Sequence, residues 1–206
     1  MRQTGEVVYV VDDDPCVRES LSELLASLGI EHVTFGSAGE YLAFEKSDVC
    51  SCLVLDVQLP EINGLDLQQQ LASESSPPII FISGHGDIPL TVRAMKAGAI
   101  EFLTKPIDPI ALVAAIEAAL IKDCKQRRNT ADMTSLRRRL TLLTPREREV
   151  LPLVVSGMLN KQAAALLAIT DVTLQVHRGQ IMRKMEANSF ADLVRMAGKL
   201  GISEPR

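Results

Sequence analysis

Near its N-terminus the chain reads VVYVVDDDP over residues 7–15, an apolar run that stops at three aspartates. A run this apolar and this rich in β-branched residues is typical of a parallel strand that is covered on both faces. Asp14 directly precedes Pro15, and a capping carboxylate ahead of a proline marks the first turn of a helix. The segment therefore predicts a buried strand that leads into a helix, with acidic side chains at the junction.

The same alternation of a short apolar run and an amphipathic stretch occurs four more times. LVLD and IIFIS are again near-continuous apolar runs. The predicted strands lie at residues 6–11, 31–35, 51–56, 78–83 and 100–104, and the predicted helices at residues 15–28, 37–45, 65–73, 88–97 and 109–122. This period predicts an α/β fold with an open, five-stranded, doubly wound parallel sheet. Such sheets carry their ligand sites at the carboxyl ends of the strands.

The strand pattern stops after residue 120, and the rest of the chain is predicted to be all-helical. Residues 121–140 are polar and basic and fit a helical linker, either one rigid helix or a hinge. A new helix begins at Thr144, where TPRE forms a capping box with proline at the first helical position. The remaining helices are predicted at residues 161–167, 171–185 and 189–200. We therefore expect three parts, at residues 1–120, 121–140 and 141–206.

Composition and charge support two domains with different partners. Of the 206 residues, 47% are hydrophobic and 23% charged, which is typical of an ordinary globular chain. The net charge of −4 conceals a split, because residues 1–120 hold 6 basic and 18 acidic side chains and so carry −12. Residues 121–206 hold 16 basic and 8 acidic side chains and carry +8. A small basic domain releases counterions from nucleic acid, so the second half is the candidate for DNA binding.

Several other classes are disfavoured. The longest nearly apolar run, residues 111–121, is too short to span a bilayer and contains Glu117. The N-terminal apolar run is too short for a signal peptide, so we expect a cytoplasmic protein without membrane contact. The cysteines form no CxxC pair and have no histidine at zinc-ligand spacing: Cys16, Cys50, Cys52 and Cys124. Reduced thiols are therefore expected rather than disulfides or a metal site, with simple packing roles for Cys16 and Cys52.

Four of the five predicted strands have polar side chains at their carboxyl ends, either as the last residue or directly after it: Asp12 and Asp13, Asp56, Ser83, and Lys105. The first and third strands of such a sheet are usually neighbours, so the carboxylates are expected to converge. Like charges this close repel, and a divalent cation with oxygen ligands offsets the repulsion; Mg²⁺ suits such a site. The alternative, that the acids serve only as helix caps, explains Asp14 but not polar groups at four different strand ends.

Four segments of the first half carry a family resemblance: VVDDD (residues 10–14), LVLDVQLPEINGLDL (53–67), IIFISGHGD (79–87) and AMKAGAIEFLTKP (94–106). Together they resemble the receiver domain of a bacterial two-component response regulator, which has a flavodoxin-like fold. The resemblance implies that Asp56 is the phosphoacceptor. It also implies that Mg²⁺, with Mn²⁺ as a substitute, is held by Asp12, Asp13, Asp56 and the backbone carbonyl of Gln58.

The resemblance implies roles for further residues of the same domain. Lys105 is expected to pair with the phosphoryl oxygens, and the Lys105-Pro106 bond is commonly cis in the family. Ser83 and Phe102 are the implied switch residues, because the hydroxyl moves towards the phosphoryl group and the aromatic ring fills the space it leaves. An ordinary half-buried strand position is the alternative for Phe102. Gln58 and His85 correspond to two positions that influence phosphate lifetime in the family. The alternative for His85 is an ordinary solvent-facing loop position.

The basic half resembles a different family. LTPREREVL (residues 143–151), residues 157–162 and ITDVTLQVHRGQIMRKM (169–185) resemble the helix-turn-helix output domain of the LuxR and NarL type. In the last of these segments, one face is predicted to pack inward, because it carries residues at helical spacing: Leu174, His177 or Arg178, Ile181 and Met185. A module that binds only protein is the alternative to DNA binding.

The opposite face of residues 171–185 is the candidate DNA surface. Phosphate contacts are expected from the basic side chains Lys161, Arg178, Arg183 and Lys184. Thr173 lies on this face together with the positions that read bases in the family, Gln175, Val176 and Gly179. A glutamine pairs with adenine, and a valine contacts a thymine methyl group. The chain departs from the usual family pattern at Ala163, Leu166, Ala168, Gln175 and Gly179.

The order of receiver, helical linker and output domain most resembles the FixJ group of response regulators. The resemblance implies a sensor histidine kinase as phosphodonor, promoter DNA as the target and RNA polymerase as a further partner. Phosphorylation is expected to alter the surface of the fourth helix and fifth strand, about residues 88–103, and to promote homodimerisation. Two output domains then match a two-fold DNA site. Whether the unphosphorylated chain masks its DNA helix stays open.

Two other functions fit parts of the sequence pattern. The aspartate cluster also suits a Mg²⁺-dependent phosphohydrolase with an aspartyl intermediate, although such an enzyme needs a second general acid. The sheet pattern also suits a flavin-binding protein, although three aspartates after the first strand would repel the flavin phosphate. The sequence therefore favours a phosphorylation-controlled transcription regulator that is not an enzyme beyond its own phosphorylation and dephosphorylation.

Overall fold

The computed structural model describes residues 5–60, 62–71, 76–84, 86 and 88–202. The chain forms two compact units, Met1–Arg127 and Arg128–Arg206. Along the described part of the chain, no helix is both long enough and apolar enough to span a bilayer.

The first unit contains a five-stranded parallel sheet. Its strands are β1 (Glu6–Val11), β2 (His32–Phe35), β3 (Cys50–Asp56), β4 (Ile79–Ser83) and β5 (Glu101–Thr104). They lie in the order β2-β1-β3-β4-β5, and every neighbouring pair is parallel. The prediction of a doubly wound sheet with β1 beside β3 is confirmed.

Helices cover both faces of this sheet: α1 (Pro15–Ser27), α2 (Ala38–Ala43), α3 (Gly64–Gln70), α4 (Ile88–Lys96) and α5 (Pro109–Thr141). Successive residues of β1 point to opposite faces, so Val8 and Val10 pack with α1 and α5, whereas Tyr9 packs with α2 and α3. Because each face has its own hydrophobic core, the central strands β1, β3 and β4 are largely apolar at successive positions rather than at alternate ones.

The predicted fifth helix and the predicted linker form one helix, α5, which is 33 residues long. Asp108 caps its start, since its carboxylate accepts a hydrogen bond from the backbone N–H of Ile110 at 3.0 Å. Residues 110–141 contain neither glycine nor proline, so nothing in the local sequence breaks the helix. The division between the two units falls within α5, after Arg127.

The second unit adds four helices, α6 (Pro145–Val155), α7 (Asn160–Leu166), α8 (Asp171–Met185) and α9 (Phe190–Lys199). The predicted capping box at α6 is present: the N–H of Glu147 donates to the Thr144 hydroxyl at 3.2 Å, and the N–H of Thr144 donates to the Glu147 carboxylate at 2.8 Å. The predicted inner face of α8 is also present, with Leu174, Ile181 and Met185 fully buried.

The expectation that all cysteines are reduced is wrong in this structure. Cys50, at the start of β3, is disulfide-bonded to Cys124 in α5, with 5.1 Å between their Cα atoms. The two residues are 74 positions apart in the sequence, and only the packing of α5 against the sheet brings them together. Cys52 is buried in the core as expected, whereas Cys16 is exposed instead of packed.

Candidate functional site

Three aspartates meet at the carboxyl end of the sheet. β1 pairs with β3 so that Val11 lies opposite Leu55, and the next residues along the two chains are Asp12 and Asp56. Carboxylate oxygens of Asp12, Asp13 and Asp56 all lie within 4.8 Å of one another. Asp12 and Asp56 are buried, and Asp13 is exposed to solvent. The strand register therefore brings together the residues that the sequence placed at separate strand ends.

Lys105 joins the two buried aspartates. Its Nζ donates to Asp12 Oδ2 and to Asp56 Oδ2, each at 2.7 Å. The residue follows β5, and its backbone N–H extends the β4–β5 ladder by donating to the Ser83 carbonyl at 2.8 Å. The strand ladder thus positions the ammonium group, which offsets part of the negative charge at this edge of the sheet.

The ionisation of these groups reflects their burial and mutual contacts. Burial raises the pKa of Asp12, and the charge of Asp56 raises it further, whereas the hydrogen bond from Lys105 opposes the increase. Burial lowers the pKa of Lys105, but the hydrogen bonds and charges of the two aspartates outweigh that effect and hold the pKa above its ordinary value. Lys105 therefore stays protonated, and its single positive charge interacts with both carboxylates.

The oxygen donors fit a hard divalent cation. Mg²⁺ and Mn²⁺ prefer carboxylate and carbonyl oxygens to nitrogen or sulfur, and three carboxylates supply such oxygens within a small volume. The three carboxylates outnumber the ammonium group of Lys105, which pairs with Asp12 and Asp56. The first unit therefore has an acidic cluster that can hold a metal ion.

The turn after β3 holds the Asp56 carboxylate in place. The N–H of Gln58 donates to Asp56 Oδ1 at 3.0 Å, and the N–H of Gly64 donates to the Val57 carbonyl at 2.9 Å. A Cβ atom added to Gly64 would lie 2.4 Å from the backbone oxygen of Asp56, so only glycine fits. Gly64 was not among the predicted site residues, because its only signal in the sequence is a glycine at the start of a helix, directly after the capping Asn63.

Of the other predicted features of the first unit, the structure describes Ser83, Phe102 and the Lys105-Pro106 bond. Ser83 is fully buried at the end of β4, beside the strand that ends in Asp56. Phe102 is half-buried and packs against Phe81, with 6.2 Å between ring centroids. The Lys105-Pro106 bond is cis, as the resemblance implied. His85 lies outside the described residues.

The predicted DNA surface of α8 is exposed. Solvent reaches five of the predicted positions on or beside this helix: Lys161, Thr173, Gln175, Val176 and Gly179. Arg183 is also exposed and donates to Gln180 at 2.6 Å. Arg178 is half-buried, because it donates to Asn160 at 3.0 Å and its guanidinium lies 4.6 Å from the centre of the Phe190 ring. These contacts with α7 and α9 thus fix the orientation of the Arg178 side chain.

Lys184 has a partner inside the second unit. Its Nζ donates to the two carboxylate oxygens of Glu147 at 2.7 and 3.0 Å, and Glu147 is only 4% exposed. Burial raises the pKa of Glu147, but the hydrogen bonds from Lys184 and Thr144 outweigh burial and hold the pKa below its ordinary value. The pair connects α8 to α6, a contact that the sequence pattern did not indicate.

Each of the two units matches the model of a known protein family. A family model described as response regulator receiver domain matches residues 8–117, and one described as bacterial regulatory proteins, luxR family, matches residues 141–197. The parallel sheet, the acidic cluster and these matches define the class of protein. The chain belongs to the two-component response regulators that join a receiver domain to a LuxR-type output domain.

Individual relatives narrow the class further. The chain is 49% identical to nodulation protein W of Bradyrhizobium diazoefficiens, with 97% of this chain and 88% of that protein covered. It is 41% identical to transcriptional regulatory protein FixJ of Azorhizobium caulinodans, with 95% and 93% covered. The solved structure of response regulator StyR matches with a TM-score of 0.86 at 46% identity, over 95% of this chain and 100% of that chain. Within its family the chain is FixJ-like, as its sequence motifs predicted.

Proposed function

We propose that the chain is a phosphorylation-controlled transcription regulator. A sensor histidine kinase donates a phosphoryl group to Asp56, and the second unit then binds promoter DNA. The observation that carries the proposal is the ammonium of Lys105, which lies 2.7 Å from both Asp12 and Asp56 beside the exposed Asp13. A buried carboxylate beside a cation and a candidate metal site suits acceptance of a phosphoryl group. The family match and the three aspartates that follow β1 favour this function over flavin binding or phosphoester hydrolysis.

Each residue of the acidic cluster has a separate role in phosphoryl transfer. An oxygen of Asp56 forms the new bond to phosphorus as the bond between phosphorus and the donor nitrogen breaks. Lys105 exchanges its contact with Asp56 for one with a phosphoryl oxygen and so offsets charge on the transferred group. Asp12, Asp13, Asp56 and the backbone carbonyl of Gln58 would hold Mg²⁺ or Mn²⁺, and the metal would supply further charge neutralisation when bound. The family resemblance assigns control of the phosphate lifetime to Gln58 and to His85, which lies outside the described residues.

A groove next to the acidic cluster is suited to bind a segment of the sensor kinase. It has a volume of about 420 Å³, borders Lys105, and lies between α1 and the start of α5. Its lining is mainly apolar and includes Val17, Leu24 and Ile107. We assign it to an amphipathic helix of the kinase that brings the phosphohistidine to Asp56.

Phosphorylation reaches the dimer surface through the residues at the ends of β4 and β5. The Ser83 hydroxyl turns towards the phosphoryl group, and Phe102 moves into the space next to it. The neighbouring surface of α4 exposes apolar side chains at helical spacing, with Ile88 77%, Val92 44% and Met95 40% exposed. Burial of this stripe against a second copy of the chain stabilises a homodimer.

The second unit binds double-stranded DNA through α8. Phosphates are contacted by Lys161, Arg178 and Arg183, and base edges by Gln175 and Val176. Thr173 lies beside them, and Gly179 leaves space for the close approach of a base pair. Lys184, which the sequence also suggested as a phosphate contact, is assigned to the ion pair with Glu147 instead. A DNA-bound dimer in the cytoplasm then acts on RNA polymerase.

Phosphate incorporation from acetyl phosphate in Mg²⁺ tests the central step. Asp56→Asn is expected to abolish incorporation, because an amide does not form the acyl phosphate. Asp66→Asn is the matched control, since Asp66 is an exposed carboxylate in the first turn of α3. Undiminished labelling of Asp56→Asn would remove this residue from its role, and loss of labelling in the control would point to general damage.

A further inference from the structure

β3 carries a second chemical feature at the end opposite Asp56. The strand begins at Cys50 and ends at Asp56. The disulfide between Cys50 and Cys124 therefore attaches α5 to the start of the strand that bears the phosphoacceptor. Both cysteine residues are partly exposed, which suits access by a small reductant or oxidant.

Polar contacts hold the same part of α5 independently of the disulfide. Asp123 is 3% exposed, and its Oδ2 accepts from the N–H of Ser51 at 2.8 Å and from Arg127 Nε at 2.6 Å. Arg127 also donates to Asp48 at 2.7 Å. These contacts flank the disulfide in both segments, so they keep the two sulfur atoms within reach of each other when the bond is broken.

The other cysteines do not offer this arrangement. Cys52 lies in the same strand but is fully buried, and burial raises the pKa of its thiol. Cys16 is exposed in α1 and forms no disulfide. A pair held close, partly exposed and supported by a separate set of hydrogen bonds is suited to reversible oxidation.

We propose that Cys50 and Cys124 form a reversible thiol–disulfide site that responds to small disulfides of the glutathione class. In the oxidation step the two thiols lose two protons and two electrons and form one sulfur–sulfur bond, while one glutathione disulfide becomes two glutathione thiols. The oxidised state holds residues 121–127 of α5 against β3, at the point where the helix passes from the first unit into the second. After reduction, the Asp123 and Arg127 contacts remain to hold this segment.

Alkylation of the full-length protein tests the site directly. The protein is equilibrated with glutathione, denatured and alkylated. Reduced protein is expected to show four alkylated cysteines and oxidised protein two. Peptide mapping of the oxidised protein is expected to find residues 50 and 124 joined by a disulfide. Four free thiols in excess glutathione disulfide would overturn the proposal. So would a disulfide that joins Cys16 residues of two chains in place of the internal bond.

Hydrogen exchange tests the consequence for α5. Oxidation is expected to slow amide exchange of residues 121–127 by about threefold or more. The double variant Cys50→Ser, Cys124→Ser is expected to lose this dependence on oxidant, and Cys16→Ser to keep it. Unchanged phosphate incorporation in the double variant shows that its receiver still folds. Exchange that is equal in oxidised and reduced protein would overturn the proposed restraint even if phosphorylation at Asp56 is established.

Discussion

At the scale of single residues, Gly64 controls the position of the phosphoacceptor through a backbone contact. We predict that Gly64→Ala lowers the rate of phosphorylation by acetyl phosphate about tenfold or more, because the new methyl group displaces the Asp56 backbone. The reason is that a Cβ atom at position 64 would lie only 2.4 Å from the Asp56 backbone oxygen. Gly84→Ala, at the same edge of the sheet, is the control, because no atom in the described part of the chain contacts its added Cβ within 4 Å. Equal rates in the two variants would contradict the prediction.

Ala168 is a second position where one residue affects a whole turn. It lies in the turn between α7 and α8 with a φ of 52°, a left-handed conformation in which an L side chain is strained. We predict that Ala168→Gly raises the free energy of unfolding of the second unit by about 1 kcal/mol, as measured by denaturant unfolding. Ala165→Gly, at an exposed position within α7, should instead lower it by about 1 kcal/mol.

At the scale of secondary-structure elements, the Glu147–Lys184 pair joins α6 to α8. We predict that Lys184→Met lowers the free energy of unfolding by about 2 kcal/mol, since it leaves a buried carboxylate without its charged donor. Arg183→Met is the control, because Arg183 is exposed and its guanidinium donates to Gln180 of the same helix. Similar denaturant midpoints for the two variants would contradict a structural role for Lys184.

The same pair predicts a dependence of stability on pH. The pKa of Glu147 is lower in the folded protein than its ordinary value of 4.5, so the unfolded state binds the proton more readily. The stabilisation is therefore complete above pH 4.5 and is lost as the pH falls towards the folded pKa. Unfolding of wild-type protein and Glu147→Gln between pH 7 and pH 3 measures this effect. The difference in free energy between the two proteins should decrease only in the acidic part of this range.

At the scale of the whole molecule, the expected function couples an acidic unit to a basic one. We predict that acetyl phosphate with Mg²⁺ strengthens and extends the DNA footprint of wild-type protein at a fixed salt concentration, because dimerisation adds a second half-site. Asp56→Asn should give the same weak footprint with and without acetyl phosphate. Equal wild-type footprints under both conditions would leave a DNA-binding protein without the proposed control.

Local sequence patterns predicted much of this molecule. The βα period, the helix caps at Asp14 and Thr144 and the inner face of α8 depend on residues a few positions apart, so they were visible without the structure. The aspartate cluster was also predicted, because parallel strands bring their carboxyl ends to one edge of a sheet. The sequence does not distinguish a continuous α5 from a hinged linker, since a polar helix and a hinge have similar composition.

The sequence by itself determined the fold class and the residues that converge at the acidic edge, because these follow from periodicity and strand order, and its motifs indicated the family. Tertiary structure alone decided which distant groups meet. Cys50 pairs with Cys124, Lys184 turns inward to Glu147, and Gly64 lies against the Asp56 backbone. Each of these contacts joins different elements of the fold, and its geometry depends on how those elements pack, which no short-range pattern encodes.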